Sequence, residues 1–314
     1  MTSGGLPVSW RSRANQLWLD GLAGVERDHA LARNTTFNIG GPAEWFLEVF
    51  GPERQAALLA ECAERGVPYF LLGAGTNLLI ADAGIEGLVI RCTSRAGRVE
   101  GDLLHAEAGL KMMRLARLAA DHDLVGLEFA IGVPGTVGGA VYQNAGCWGR
   151  ELSEVLISAD GYQPGSGRET WPAGRLELGY RSSAFRDGDL RGALVTGAWF
   201  QLAAGDGRAA KAEMKRLTAE RRLSQPIDSR NCGSVFKNPP GDSAGRLIEE
   251  AGMKGAWEGA AQVSDLHANF ILNQGGASAA DVAALIAKVQ AAVRERSGIE
   301  LEAEVEAVGR WGVS

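Results

Sequence analysis

From residue 52 onward Ala56, Leu59, Cys62 and Ala63 recur at helical spacing, with Glu53, Arg54, Glu61 and Glu64 at the polar positions. Gly66 stops the pattern, so a helix over Pro52–Arg65 is predicted. The next apolar run, Tyr69-Phe70-Leu71-Leu72, is short and uninterrupted, as a buried strand is, and it runs into Gly73-Ala74-Gly75-Thr76-Asn77. Between residues 111 and 121, Met112, Leu115, Ala116 and Ala119 oppose Arg114, Arg117 and Asp121, which predicts a second amphipathic helix. Residues 205–222 turn charged and alanine-rich, predicting a surface helix and a boundary before a C-terminal unit.

In that unit Ser278 precedes Asp281 at capping-box spacing, and Val282, Leu285, Ile286, Val289 and Val293 form a helical stripe closed by Gly298. Beyond it Ile299, Leu301, Ala303, Val305 and Ala307 alternate with Glu300, Glu302, Glu304 and Glu306. That period predicts a half-buried strand with its glutamates toward solvent. Residues 230–239 read as a strand entering a turn. Residues 131–140 are too apolar for a flexible linker and too rich in glycine for a normal helix interior, which suggests backbone packed against a ligand.

Composition narrows the function. A length of 314 residues predicts two or three packed units. The balance of 32 basic against 38 acidic residues, net −6, lacks the basic field of a nucleic-acid binder. An anionic ligand must then be met by a local cationic cluster. Cys62, Cys92, Cys147 and Cys232 form no C-x-x-C pair, so zinc and disulfide frameworks lack support. No secretory leader or bilayer-spanning run is found, and a cytoplasmic, membrane-free protein is expected.

Gly73-Ala74-Gly75 begins like a dinucleotide fingerprint, but Leu78 stands where the third glycine belongs. Alone it is as readily a turn as a phosphate cradle. Together with residues 132–140 it forms a pair of loops rich in N–H groups and poor in Cβ atoms, which can surround a pyrophosphate. His29, His105, His122 and His267 show no triad or metal spacing, and no metal site is expected. Neither loop holds a histidine. By spacing alone Ser234 is a turn residue, Lys237 a solvated cation, Arg181 a packing residue beside aromatics and Glu304 one exposed glutamate among several.

The order of residues 34–43, 73–79, 132–145, 180–185, 233–239 and 301–305 resembles the UDP-N-acetylenolpyruvoylglucosamine reductase family, of the FAD-binding vanillyl-alcohol-oxidase/PCMH type. The resemblance implies an α+β protein: a PCMH-type module of two FAD-binding subdomains, residues 34–92 and 93–204, then a C-terminal α/β substrate domain, residues 205–314, whose last strand returns to the active site. Residues 1–33 would be an arm without assigned function. Noncovalent FAD would contact Gly73, Ala74, Gly75, Thr76, Asn77, Leu78, Pro134, Gly135, Thr136, Gly138, Gly139, Ala140 and Asn144, and NADPH would be the reductant.

The implied substrate is UDP-N-acetylglucosamine enolpyruvate, in peptidoglycan precursor synthesis. Arg181, Ser234 and Glu304 match the family's catalytic positions, and Tyr180, Arg221, Lys237 and Asn238 its substrate contacts. No tyrosine-bearing insertion lies between Phe185 and Arg222, which matches the shorter, type II branch. A monomer is expected. Another oxidase of the same flavin fold, or a nucleotide-sugar-binding protein without chemistry, are the alternatives.

Overall fold

The structure is a computed structural model that describes residues 10–312. The beginning of the expected N-terminal arm, residues 1–9, lies outside them. The remainder of that stretch is built into the first unit. Helix Arg13–Asp20 buries Leu19 against Trp45, Leu47 and Leu58, and Glu26–Ala30 is an edge strand paired antiparallel with Pro42–Val49. The short motif-free sequence hid this, since its only patterned part is eight residues of helix.

The sheet of this unit runs in the order Glu26–Ala30, Pro42–Val49, Ile85–Cys92, Tyr69–Leu72. The predicted helix forms over Pro52–Arg65, and Gly66 closes it at φ +64°. There a residue without Cβ takes the left-handed cap at no steric cost. Leu59 and Cys62 are fully buried, and each leucine-sized side chain removed from water contributes roughly 1.5–3 kcal/mol.

A second unit is a five-stranded antiparallel sheet ordered Gly167–Pro172, Leu156–Gln163, Leu194–Gln201, Leu103–Glu107, Gly97–Glu100. Helix Met112–Asp121 covers it, burying the predicted Met112, Leu115, Ala116 and Ala119. The charged helix predicted over residues 205–222 is Gly207–Ser224, capped by Asp206. It does not belong to the C-terminal unit as expected. Ala210, Met214 and Leu217 enter the same core as Met112 and Leu115, a preference that a sparse apolar stripe cannot disclose.

The third unit packs helices Ala244–Glu250 and Ala279–Ser297 on a three-stranded sheet, Trp257–Glu258, Ala261–Val263 and Ile271–Asn273. Ser278 and Asp281 form the expected capping box, and Gly298 ends the helix at φ +75°.

Two strand expectations fail. Residues 230–239 form no strand, only an isolated bridge between Phe236 and Ala303. The alternating segment 299–307 is not one half-buried strand either. Residues 302–304 run beside residues 235–237, and then Glu306–Val308 crosses into the first unit, parallel to Leu78–Ile80. Because the partner changes midway, Glu304 is 8% exposed while Glu302 stays in solvent.

Candidate active site

Two concave regions meet where the three units converge. The first is lined by residues 69–78 from the first unit, by Pro134, Gly135, Thr136, Gly138, Gly139 and Ala140 from the second, and by Glu306. All the cofactor contacts expected from the sequence except Asn144 lie in this wall. The two loops approach so closely that side chains are excluded. A Cβ on Gly73 would stand 2.9 Å from Thr136 Oγ1, and one on Gly135 2.9 Å from Thr76 Oγ1. Gly75, at φ +60°, would drive a Cβ to 2.1 Å from the Asn34 carbonyl oxygen.

Among the described residues, the backbone N–H groups of residues 74–77 make no hydrogen bond within the chain, which leaves them for an anion. The wall holds no Lys, Arg or His. Backbone dipoles and uncharged donors such as the Thr76 and Thr136 hydroxyls must meet a pyrophosphate here, and an apolar flank from Phe70, Leu72, Phe185 and Leu194 suits a planar ring. These residues fit FAD. Within and just beyond residues 131–140, expected to be too irregular for a normal helix interior, Val137–Tyr142 forms a single short helix; Gly138 and Gly139 keep its surface flat toward the cavity.

The second region is a charged cleft that shares Thr76, Asn77, Pro134 and Gln143 with the first. Arg181, Ser234, Glu304, Arg221, Tyr180 and Asn238 all line it. Arg181 Nε donates to Glu304 Oε1 at 2.6 Å and Nη2 donates to the Gly146 carbonyl at 3.2 Å. Its backbone sits at φ +54°, a left-handed conformation that costs a side-chain-bearing residue about 1–2 kcal/mol. The surroundings hold it there: Ser183 Oγ donates to the Tyr142 carbonyl, and Asn144 Nδ2 donates to the Gly179 carbonyl at 2.9 Å.

Asn144 stands apart from the other expected cofactor contacts. It is fully buried, lines neither region, and spends its amide on Glu151, Gly179 and the Ser153 N–H. Its task is to fix the loop that carries Arg181.

Ser234 follows Gly233, at φ +83°, in a loop pinned from two sides. Val235 donates to the Asn269 carbonyl at 2.9 Å, and Glu304 N–H donates to the Val235 carbonyl at 2.8 Å. The serine and the glutamate, far apart in sequence, are therefore positioned by the same peptide. Burial raises the Glu304 pKa, against the opposing pull of Arg181.

Arg221 ends helix Gly207–Ser224 and donates to the Gly132 carbonyl and, at 2.7 Å, to Gln225 Oε1. Burial lowers its pKa, and among the described residues no carboxylate pairs with it, so its charge is available to an anion. Lys237 does not line the cleft; its ammonium lies 2.6 Å from exposed Glu302. Asn238 Oδ1 is occupied by the Ala244 N–H, and its own N–H donates to the Tyr180 hydroxyl at 3.3 Å. His267, expected to be structural, accepts from the Asn269 N–H.

The sequence reading missed Asn77 as an organiser. Its side-chain amide donates to Gln143 Oε1 and the Glu304 carbonyl, at 2.9 and 3.0 Å. It also missed Arg246 and Trp148 in the cleft wall and Glu306 in the cavity wall, none of which any local pattern marks.

A backbone-lined cavity for a dinucleotide, opening onto a cleft with a partly buried Arg–Glu pair, defines a flavin-dependent oxidoreductase. Residues 47–165 match the FAD binding domain family, and residues 225–308 match the family described as UDP-N-acetylenolpyruvoylglucosamine reductase, C-terminal domain. UDP-N-acetylenolpyruvoylglucosamine reductase 2 of Symbiobacterium thermophilum is 40% identical over 92% of this chain and 92% of its own length. The reductase of Geobacter sulfurreducens is 43% identical over 91% of this chain and 94% of its own.

The crystal structure of UDP-N-acetylenolpyruvylglucosamine reductase (MurB) from Thermus caldophilus superposes with a TM-score of 0.78 at 34% identity, over 90% of this chain and 98% of that one. The chain belongs to the UDP-N-acetylenolpyruvoylglucosamine reductase family, FAD-dependent oxidoreductases of peptidoglycan precursor synthesis. The α+β architecture expected from the resemblance is the one observed.

Proposed function

We propose that the chain reduces the enolpyruvyl ether of UDP-N-acetylglucosamine enolpyruvate to UDP-N-acetylmuramate, with Arg181, Glu304 and Ser234 as its catalytic residues. The observation that carries this reading is the partly buried Arg181–Glu304 pair, sharing a cleft with Ser234 next to the cofactor cavity. FAD, when bound, supplies a two-electron carrier that takes a hydride from NADPH and passes it to the enolpyruvyl group. Arrival of hydride leaves negative charge on the carbon beside the substrate carboxylate. Arg181 faces that carboxylate and stabilises the enolate-like charge by charge-assisted hydrogen bonds.

Glu304 holds the guanidinium in place through the 2.6 Å contact to Nε, leaving Nη1 and the second N–H of Nη2 for the substrate. Ser234 Oγ then gives its proton to the carbon and recovers one from solvent. An ordinary hydroxyl suffices, because the acceptor is strongly basic and placement matters more than acidity. Arg221, unpaired with any described carboxylate, suits the substrate diphosphate. Asn238 and Tyr180 form the adjoining rim, and Lys237 contributes from behind it.

A monomer is the state this reading expects. No described helix is long and apolar enough to cross a membrane. With nucleotide-borne substrate and reductant, the cytoplasm is the setting this reading implies.

Replacement of Ser234 by Ala separates the half-reactions. Flavin reduction by NADPH should stay nearly intact, while reoxidation by the enolpyruvyl sugar slows by about 10²- to 10⁴-fold. Stopped-flow absorbance reads both. Equal slowing of the two, or of neither, would return Ser234 to a turn residue.

A further inference from the structure

Among the residues that line the first cavity, Glu306 is the only one with a formal charge at neutral pH. A carboxylate in a wall meant for an anionic dinucleotide calls for a reason. Its support is thin. The Tyr142 hydroxyl donates to Oε2 at 3.4 Å, and Arg186 Nε stands 3.4 Å from Oε1, which receives no hydrogen bond. A carboxylate can accept about four hydrogen bonds, so most of this capacity is unfilled.

Both neighbours are donors. Burial pushes the Tyr142 hydroxyl up to about 12, so it keeps its proton, and Arg186 is a cation. Burial raises the Glu306 pKa, and Arg186 and the Tyr142 hydrogen bond oppose that rise in favour of the ionised form.

Position identifies what Glu306 meets. Its N–H donates to the Asn77 carbonyl at 3.0 Å, and Asn77 lines both cavity and cleft. Two residues earlier, Glu304 lines the cleft. Glu306 therefore stands where the cofactor cavity opens toward the reacting centre. A pyrophosphate would be repelled there and belongs instead against the free N–H groups of residues 74–77. What remains for Glu306 is the uncharged, donor-bearing flavin end, with its ring N–H and ribityl hydroxyls.

We propose that Glu306 is a positioning residue for the flavin, accepting a hydrogen bond from its ring N–H or ribityl hydroxyls and holding its reduction potential down by charge. The inference rests on the reading of this cavity as the FAD site. A hydride from NADPH, two electrons and one proton, would add one negative charge to the flavin. A neighbouring carboxylate disfavours that added charge, and Arg186 partly offsets it. A lower potential makes the reduced cofactor a stronger hydride donor to the enolpyruvyl carbon.

The test titrates FAD into the deflavinated protein and measures the midpoint potential of the reloaded holoenzyme. Glu306→Gln keeps shape and loses charge. It should hold reduced FAD about tenfold more tightly relative to oxidised FAD, a rise of about 30 mV for a two-electron couple. Glu306→Leu, which also loses the acceptor, should weaken FAD binding about tenfold. Arg186→Gln, which unmasks the carboxylate, should move the potential the opposite way.

A structural partner of Arg186 would alter melting but neither potential nor affinity. Folded Gln and Leu variants that match the native protein in both readouts overturn the proposal. If the native protein fails to take up FAD, the cofactor reading falls with it.

Discussion

The cofactor cavity and the substrate cleft share four wall residues yet are made of opposite materials. The cavity is backbone and apolar surface, with Glu306 its one charge. The cleft carries Arg150, Arg181, Arg221 and Arg246 against Glu151, Glu249 and Glu304. A bound dinucleotide has to be held in one pose for many turnovers, and fixed amide dipoles do this without the entropy cost of ordering long side chains. The cleft must release product and respond to charge that appears only during reaction, so it uses ionised groups kept ready by a second partner. Holding and reacting have been separated in space.

If that contrast is right, damage to one region should leave the other working. The largest effect is expected from Arg181→Met, which removes the cation for the substrate carboxylate and strands Glu304. Reoxidation by the enolpyruvyl sugar should fall by about 10²- to 10³-fold or more. Flavin content and the rate of reduction by NADPH should barely change. Loss of bound flavin in this variant would mean that the two regions are one unit.

A smaller effect, with the opposite distribution, is expected from Gly73→Ala. Its new Cβ would lie 2.9 Å from Thr136 Oγ1, so the loops must part and FAD affinity should drop several-fold. Thr136→Ala in the same chain should restore part of that affinity. Non-additivity of this kind marks residues in contact, and strict additivity measured by fluorescence titration would show that the loops do not touch.

The smallest effect concerns pH. Burial raises the native pKa of Glu304 above the ordinary carboxylate value, so between the two values the folded protein binds more protons than the unfolded one. Stability from this group is full below the unfolded value and is lost as pH rises through the folded one. Glu304→Gln should flatten that part of the profile. Urea melts from about pH 4 to 7 can check it, and a native profile that rises more steeply than the variant's would reverse the sign assigned here.

How much of this was legible in the sequence follows the same division. Glycines that must lack a Cβ announce themselves, so both cavity loops could be read from Gly73, Gly75, Gly135 and their neighbours. Helices with one partner were also legible, as in Pro52–Arg65 and the box of Ser278 and Asp281. What failed had more than one partner. Glu304 alternates with apolar residues like a solvent-facing glutamate, and only the change of neighbour from residues 235–237 to Leu78–Ile80 turns it inward. Arg181, Ser234 and Glu304 were singled out as catalytic candidates only by resemblance, since residue spacing alone gave each an ordinary reading. Asn144, expected at the cofactor by resemblance, directs its side-chain hydrogen bonds away from the cavity, which its position near the loops could not disclose.

The crossing strand also sets an order of events. Glu306–Val308 joins Leu78–Ile80, and Asn77 bonds to Glu304 from 227 residues away. On the ribosome, the first unit's strands emerge long before the segment that completes both of its neighbouring pockets. Closing so long a loop is slow, and it comes after the local helices and hairpins have formed. The cavity therefore gains its Glu306 wall only once the end of the chain has folded back onto the unit that was made first.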